Sequence, residues 1–133
     1  MGGVSLKWYR DPEEMRRQAQ EGSAAAQRSL GNYYATSEDK DLALSRHWYL
    51  QAALQGDPTS MYEIGFTLLL GEGGPADPVG GVEWLEKAAE VETVDNYFEA
   101  RRLLADIFRT GAWNVPKDEE RGRYWAERRL PRH

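Results

Sequence analysis

"SMYEIGFTLLLGEGGPADPVGGVEWLEKAAE", Ser60 to Glu90, sets two apolar segments on either side of a glycine-rich stretch. Its centre, Gly71 to Pro78, can be read as G-x-G-x-x-A, a relative of the dinucleotide-binding fingerprint. That fingerprint follows a strand. Here the preceding segment puts Ser60, Ile64, Gly65 and Leu68 on one face at the helical period, so a helix precedes it. A P-loop would need Lys and then Ser or Thr after the glycines, and neither is present. Gly71 supplies the positive φ at the end of one helix, and Asp77 with Pro78 starts the next as N-cap and first helical residue. The stretch is a turn between two helices.

The same unit recurs along the chain. An Asp stands seven residues before a Trp three times: Asp41 and Trp48, Asp77 and Trp84, Asp118 and Trp125. An Ala pair follows the first two, Ala52–Ala53 and Ala88–Ala89, and Arg128 and Arg129 take that place in the third. Upstream of each Asp lies a second unit. It opens on a small residue (Ala26, Ser60, Ala100) and continues through Leu30, Ile64 or Leu104. Next come Gly31, Gly65 or Ala105, and then Tyr34, Leu68 or Phe108. The openings are 34 and 40 residues apart, and the longer interval carries the extra "VETVDNYFE", 91–99. Two helical units therefore recur together along the chain.

The sequence therefore predicts an all-α chain of about three helix-turn-helix repeats in one domain, 1–133, the arrangement that the resemblance given below implies to be an α-solenoid (α/α superhelix). An N-terminal half-repeat helix is expected at 11–22 and repeats at 23–57, 58–99 with insertion 91–99, and 100–129, before a tail at 130–133. No segment alternates with period two, so no sheet is expected. The residues expected to build the repeat are Leu30, Gly31, Trp48, Ala52, Ile64, Gly65, Trp84, Ala88, Leu104 and Trp125. Trp84→Ala is expected to cost about 3–5 kcal/mol as a large-to-small core change.

Composition narrows the chemistry. A chain of 133 residues that is 41% hydrophobic buries roughly two-thirds of its unfolded surface. There is no Cys, which excludes disulfides and thiolate chemistry, and the two His, His47 and His133, are too few for a triad or a His-based metal site. No cofactor is expected. The net charge of −5 is uneven: residues 57–99 hold ten acidic side chains and one basic, Lys87, while 100–133 are net positive by four. An acidic middle disfavours nucleic acid; its plainer reading is a solvated face of exposed helices, and it mildly favours a basic protein partner. Glu13–Glu14 and Glu119–Glu120 stand at helix starts, where they oppose the dipole. The start "MGGVSLKWYR" has no apolar h-region and no run is long enough to span a bilayer, so a cytoplasmic location is expected, without membrane contact.

The repeat residues resemble those of the Sel-1-like repeat family, relatives of the tetratricopeptide repeats. The first repeat matches at Ala26, Leu30, Gly31, Tyr34, Asp41, Trp48, Tyr49, Ala52, Ala53 and Gly56. The second matches at Ile64, Gly65, Gly71, Gly73, Asp77, Trp84, Ala88 and Ala89, and the third at Ala100, Leu104, Gly111, Val115, Asp118 and Trp125. Departures are the short glycine-free first loop, the 91–99 insertion, Ala105 in place of Gly, and the Arg pair at 128–129. The resemblance implies an α-solenoid that binds other proteins as an adaptor or scaffold without catalysis. It also implies kinship with bacterial members that neutralise secreted toxins or serve in signalling and secretion.

Helix geometry proposes the binding face. If Ser60, Ile64, Gly65 and Leu68 face the core, the opposite face carries Tyr62, Glu63, Phe66 and Leu69. Equivalent positions are Arg28, Ser29, Asn32 and Ala35 in the first repeat, and Arg102, Leu103, Asp106 and Arg109 in the third. Stacked side by side, these would line a concave surface with two aromatic residues between arginines, residue types that dominate binding hot spots. The competing reading buries Tyr62 and Phe66 as ordinary core. Trp8 and Trp113 lie outside the repeat register; Trp8 is a candidate cap for the first helix, and an exposed anchor at Trp113, which sits in a loop, is the less favoured of its two readings. The expected function is a non-enzymatic interaction module binding a protein or peptide, basic in character. The alternatives are an immunity protein neutralising a toxin and, lower in rank, a carboxylate-dependent hydrolase. The polar last helix argues for an end cap and a monomer.

Overall fold

A computed structural model describes residues 11–91 and 94–128, the side chains of 94–98 excepted. Trp8, His133 and the tail 130–133 lie outside it. The regular elements among these residues are all helical: α1 Pro12–Gln20, α2 Ala24–Thr36, α3 Leu42–Leu54, α4 Pro58–Leu70, α5 Pro78–Glu90, α6 Val94–Thr110 and α7 Glu119–Glu127.

Six of the seven helix starts have a described side-chain cap. The Asp side chains that open the helices accept hydrogen bonds from first-turn amides. Asp41, Asp57, Asp77 and Asp118 bond the nitrogens of Leu44, Ser60, Gly80 and Arg121 at 3.0–3.1 Å. Asp11 and Ser23 do the same for α1 and α2. Each cap satisfies an otherwise orphaned donor and stabilises its helix by about 1 kcal/mol. Pro12, Pro58 and Pro78 follow their caps at the position where the missing N–H costs nothing. At the other end of α4, Gly71 is left-handed (φ 74°), the turn expected there.

One hydrogen bond closes all three hairpins. The cap amides of Asp41, Asp77 and Asp118 donate at 2.8 Å to the carbonyls of Tyr34, Leu68 and Phe108. These acceptors hold the same place in the repeat although the loops differ in length. The extra residues of the second, longer interval are largely helical, because α6 begins at Val94 and runs 17 residues against 13 for α2 and α4.

Each helix packs on its neighbours in sequence, and α4 also reaches α6 across α5. Within a hairpin, two small positions meet. Ser45 Oγ donates to the Gly31 carbonyl at 2.6 Å. A Cβ on Gly65 would lie 2.9 Å from the Gly81 oxygen, so α4 and α5 touch backbone to backbone. Beside these crossings the core fills with Leu30, Tyr34, Ile64, Leu85, Leu104, Ile107 and Phe108, all buried. Burial of each such side chain contributes about 1.5–3 kcal/mol. The tryptophans divide. Trp125 is buried, whereas Trp48 and Trp84 are half-buried against core clusters, and the fully buried second-helix positions are their successors, Tyr49 and Leu85.

Candidate protein-binding face

The side of α4 away from its core residues carries Tyr62, Glu63 and Phe66, all half-buried. Tyr62 and Phe66, one helical turn apart, stack with ring centroids 6.3 Å apart and planes 15° from parallel. Trp113 then meets Phe66 edge to face, 6.0 Å away at 72°. Trp113 is 36% exposed at the end of this row. The turn that delivers it, Ala112–Asn114, holds Trp113 and Asn114 at φ 51° and 62°. Left-handed backbone in residues other than glycine costs about 1–2 kcal/mol each, so the surroundings must hold the turn in place. Val115, buried two residues on, and the Asp118–Phe108 hydrogen bond supply that hold.

On its α2 side, α4 borders a cleft of about 190 Å³. Asn32, Ala35 and Thr36 come from α2, Ser45 and Tyr49 from α3, and Glu63, Phe66 and Thr67 from α4, with Lys40 and Glu72 from the loops. Burial pushes the Glu63 carboxyl above the usual carboxylate range, and the nearby Glu72 adds to the rise. Burial, then Glu63, holds Tyr49 above the usual phenol range against a smaller opposing effect of Arg28. Tyr62 is raised by burial, then by Glu99 and Glu63. Arg28 is engaged at 2.7 Å with Asp57, a carboxylate that also accepts from Ser60 Oγ at 2.6 Å.

Of the residues expected on one face, Arg28, Asn32, Tyr62, Glu63 and Phe66 lie together on or between α2 and α4. Leu69 does not. It is 3% exposed and packs where Gly81 has no side chain, since a Cβ there would stand 2.9 Å from Leu69 Cγ. One turn beyond Gly65, it shares that glycine's side of the helix. Arg102, Asp106 and Arg109 also lie apart from the aromatic row. They border shallow clefts with Glu119, Gly122, Arg123, Trp125 and Ala126 at the α6–α7 end, and Arg109 pairs with Asp106 at 3.0 Å. The equivalent flank of α2 and α3 is covered by α4, but among the described residues no helix follows α7 to cover this one.

Tyr49 and Glu72 were missed by sequence reasoning. The signal for Tyr49 was its place after Trp48, where the recurring Trp drew attention instead. A separate cleft of about 550 Å³ lies between α5 and the α6–α7 loop, lined by Val79, Val82, Phe108, Val115 and Pro116 and by Arg121 and Glu86, which pair at 2.7 Å. None of the expected site residues reaches it. His47 is exposed and meets Trp48 edge to face at 4.9 Å. Among the described residues no three His, Cys, Asp or Glu are grouped to hold a metal, and no helix is long and apolar enough to cross a membrane.

Comparison with known proteins agrees with this architecture. The Sel1 repeat model matches residues 24–57, 58–91 and 98–128. A Sel1 repeat protein from Oxalobacter formigenes superposes with a TM-score of 0.76 at 27% identity, over 95% of this chain and 94% of that one. A protective antigen present in uropathogenic Escherichia coli strains, displaying an SLR fold, superposes with a TM-score of 0.74 at 29% identity over 86% of this chain. This chain spans only 24% of that antigen's length. With three repeat matches covering well over half its residues, the chain belongs to the Sel1 repeat family.

Proposed function

We propose that this chain is a non-enzymatic adaptor that captures a protein or peptide on the α4 face. The observation that carries this reading is the row Tyr62–Phe66–Trp113, in which a half-buried pair is extended by an exposed Trp held on a left-handed turn. Rigid aromatic area at low entropy cost is what binding hot spots use. Sel1 repeats generally serve as protein–protein interaction modules. The polar α7, suited to an end cap, supports a monomer, and a toxin-neutralising immunity protein would use the same face.

One observation favours the hydrolase reading: Glu63 and Glu72 share a cleft, and Glu63 is raised. The volume of about 190 Å³ weighs against it, since substrate pockets run to roughly 300–1,000 Å³.

The tagged chain serves as bait in extract of its source cells, with Phe66→Glu as matched control and mass spectrometry as readout. A protein retained by the native chain and lost by the variant supports capture at this face, and its identity separates adaptor from immunity protein. Identical sets on both baits refute capture at this face.

A further inference from the structure

We propose that the cleft between α2 and α4 receives one lysine or arginine side chain of the bound partner. The proposal rests on the α4 face being the binding face and names what that face selects.

Among the described residues, two polar groups at the cleft have no protein partner. Tyr49 is only 6% exposed, yet among the described residues its hydroxyl makes no hydrogen bond. The Glu63 carboxyl, half-buried beside it, has neither a hydrogen bond nor an ion pair there. Both groups line the cleft with hydrogen-bonding capacity to spare, so a donor entering from outside can engage them. Tyr49 retains its proton, because burial and Glu63 both oppose ionisation, and its oxygen still accepts. A cation donating to Glu63 and Tyr49 would satisfy both, with the Phe66 ring forming the adjoining wall.

Charge and size point the same way. Glu72 lines the cleft, Glu99 acts on Tyr62 at its flank, and the surrounding segment 57–99 carries ten acids against one lysine. The nearby cations leave the position open. Arg28 is bound to Asp57, and Lys40 is exposed at the cleft and pairs with neither glutamate. A volume of about 190 Å³ equals that of about six waters, room for the outer part of one long side chain and for no folded element. The aromatic row would then take the apolar residues beside that side chain in the peptide.

The test uses the full chain and fluorescein-labelled decapeptide mixtures with a fixed central Lys, Arg, norleucine or Glu, read by fluorescence polarisation. Lys and Arg mixtures should bind about tenfold or more tighter than the norleucine and Glu mixtures. Glu63→Gln should erase most of that preference and Tyr49→Phe part of it, while thermal unfolding shows both variants folded. Equal binding of norleucine and Lys mixtures, abolished by Phe66→Glu, would overturn the cation site and leave the binding face standing. Failure of every mixture to bind would also overturn the cation site, whereas the binding face itself fails only if Phe66→Glu retains the cellular partner.

Discussion

Gly81 and Gly122 are each the fourth residue of a helix, four after the capping Asp, and each faces the preceding helix of its hairpin. Replacing either by Ala removes the helix penalty of glycine, a gain of about 0.8–1.0 kcal/mol. Their surroundings differ. At Gly122 the new Cβ would meet the Ala105 oxygen at 3.4 Å and the Arg109 nitrogen at 3.5 Å, ordinary contact. At Gly81 it would meet the Gly65 oxygen at 2.8 Å and Leu69 Cγ at 2.9 Å, with the Leu69 nitrogen at 3.1 Å. Two of these three atoms are backbone, so relief requires α4 and α5 to move apart, and overpacking of this kind costs about 1–3 kcal/mol. Gly122→Ala should therefore stabilise by about 0.5–1 kcal/mol, and Gly81→Ala should destabilise by about 0–2 kcal/mol. Urea unfolding followed by far-UV circular dichroism measures both, and the comparison cancels the shared propensity gain. If the two variants agree within about 0.5 kcal/mol, the backbone-to-backbone crossing of α4 and α5 is not as tight as described.

Leu85→Ala should cost about 2–5 kcal/mol and Trp84→Ala about 2 kcal/mol, because Leu85 is the fully buried one of the pair; the reverse order in chemical denaturation refutes this packing. Asp57→Ala should cost about 1–2 kcal/mol, removing the α4 cap and the Arg28 partner together, while Asp57→Asn keeps an acceptor and should cost less than half as much; equal losses would assign the effect to charge alone. Glu63 has its folded pKa raised, so its contribution is fully present below the ordinary carboxylate range and is lost as pH rises through the raised value. Melting temperatures taken from about pH 4 to about pH 8 should show Glu63→Gln equal to the native chain at the acid end and higher at the other; a constant difference refutes the desolvation.

The repeat architecture was legible because its signals are local. The capping Asp, the proline after it and the small residue at each crossing report the backbone of their own hairpin, and they recur in register. The face of α4 was legible in part. Tyr62, Glu63 and Phe66 follow from helical phase, but Leu69 was misplaced because the space it fills is created by Gly81 in another helix. Arg102, Asp106 and Arg109 were grouped with that face by repeat equivalence. Asn32 and Ala35, their equivalents, border a cleft that α4 walls on its far side, whereas among the described residues no helix follows α7 to wall the clefts at the α6–α7 end. The cleft at Tyr49 joins three helices and two loops, and its position depends on how they pack, which no single segment encodes.

The hydrogen bond that shuts each hairpin separates two jobs that are usually entangled in a loop. Because the same carbonyl and the same Asp amide meet whether the connection is short, as between Tyr34 and Asp41, or longer, as between Phe108 and Asp118, the residues in between are released from setting the geometry of the stack. Lengthening a clamped loop costs little, about 0.6 kcal/mol for each doubling. The connection can therefore change under selection, or at a designer's bench, without disturbing the helices it joins. The longest connection already illustrates this freedom, since it carries Trp113 to Phe66 on a neighbouring repeat. Recognition grafted onto the other two hairpins would leave the scaffold's register intact.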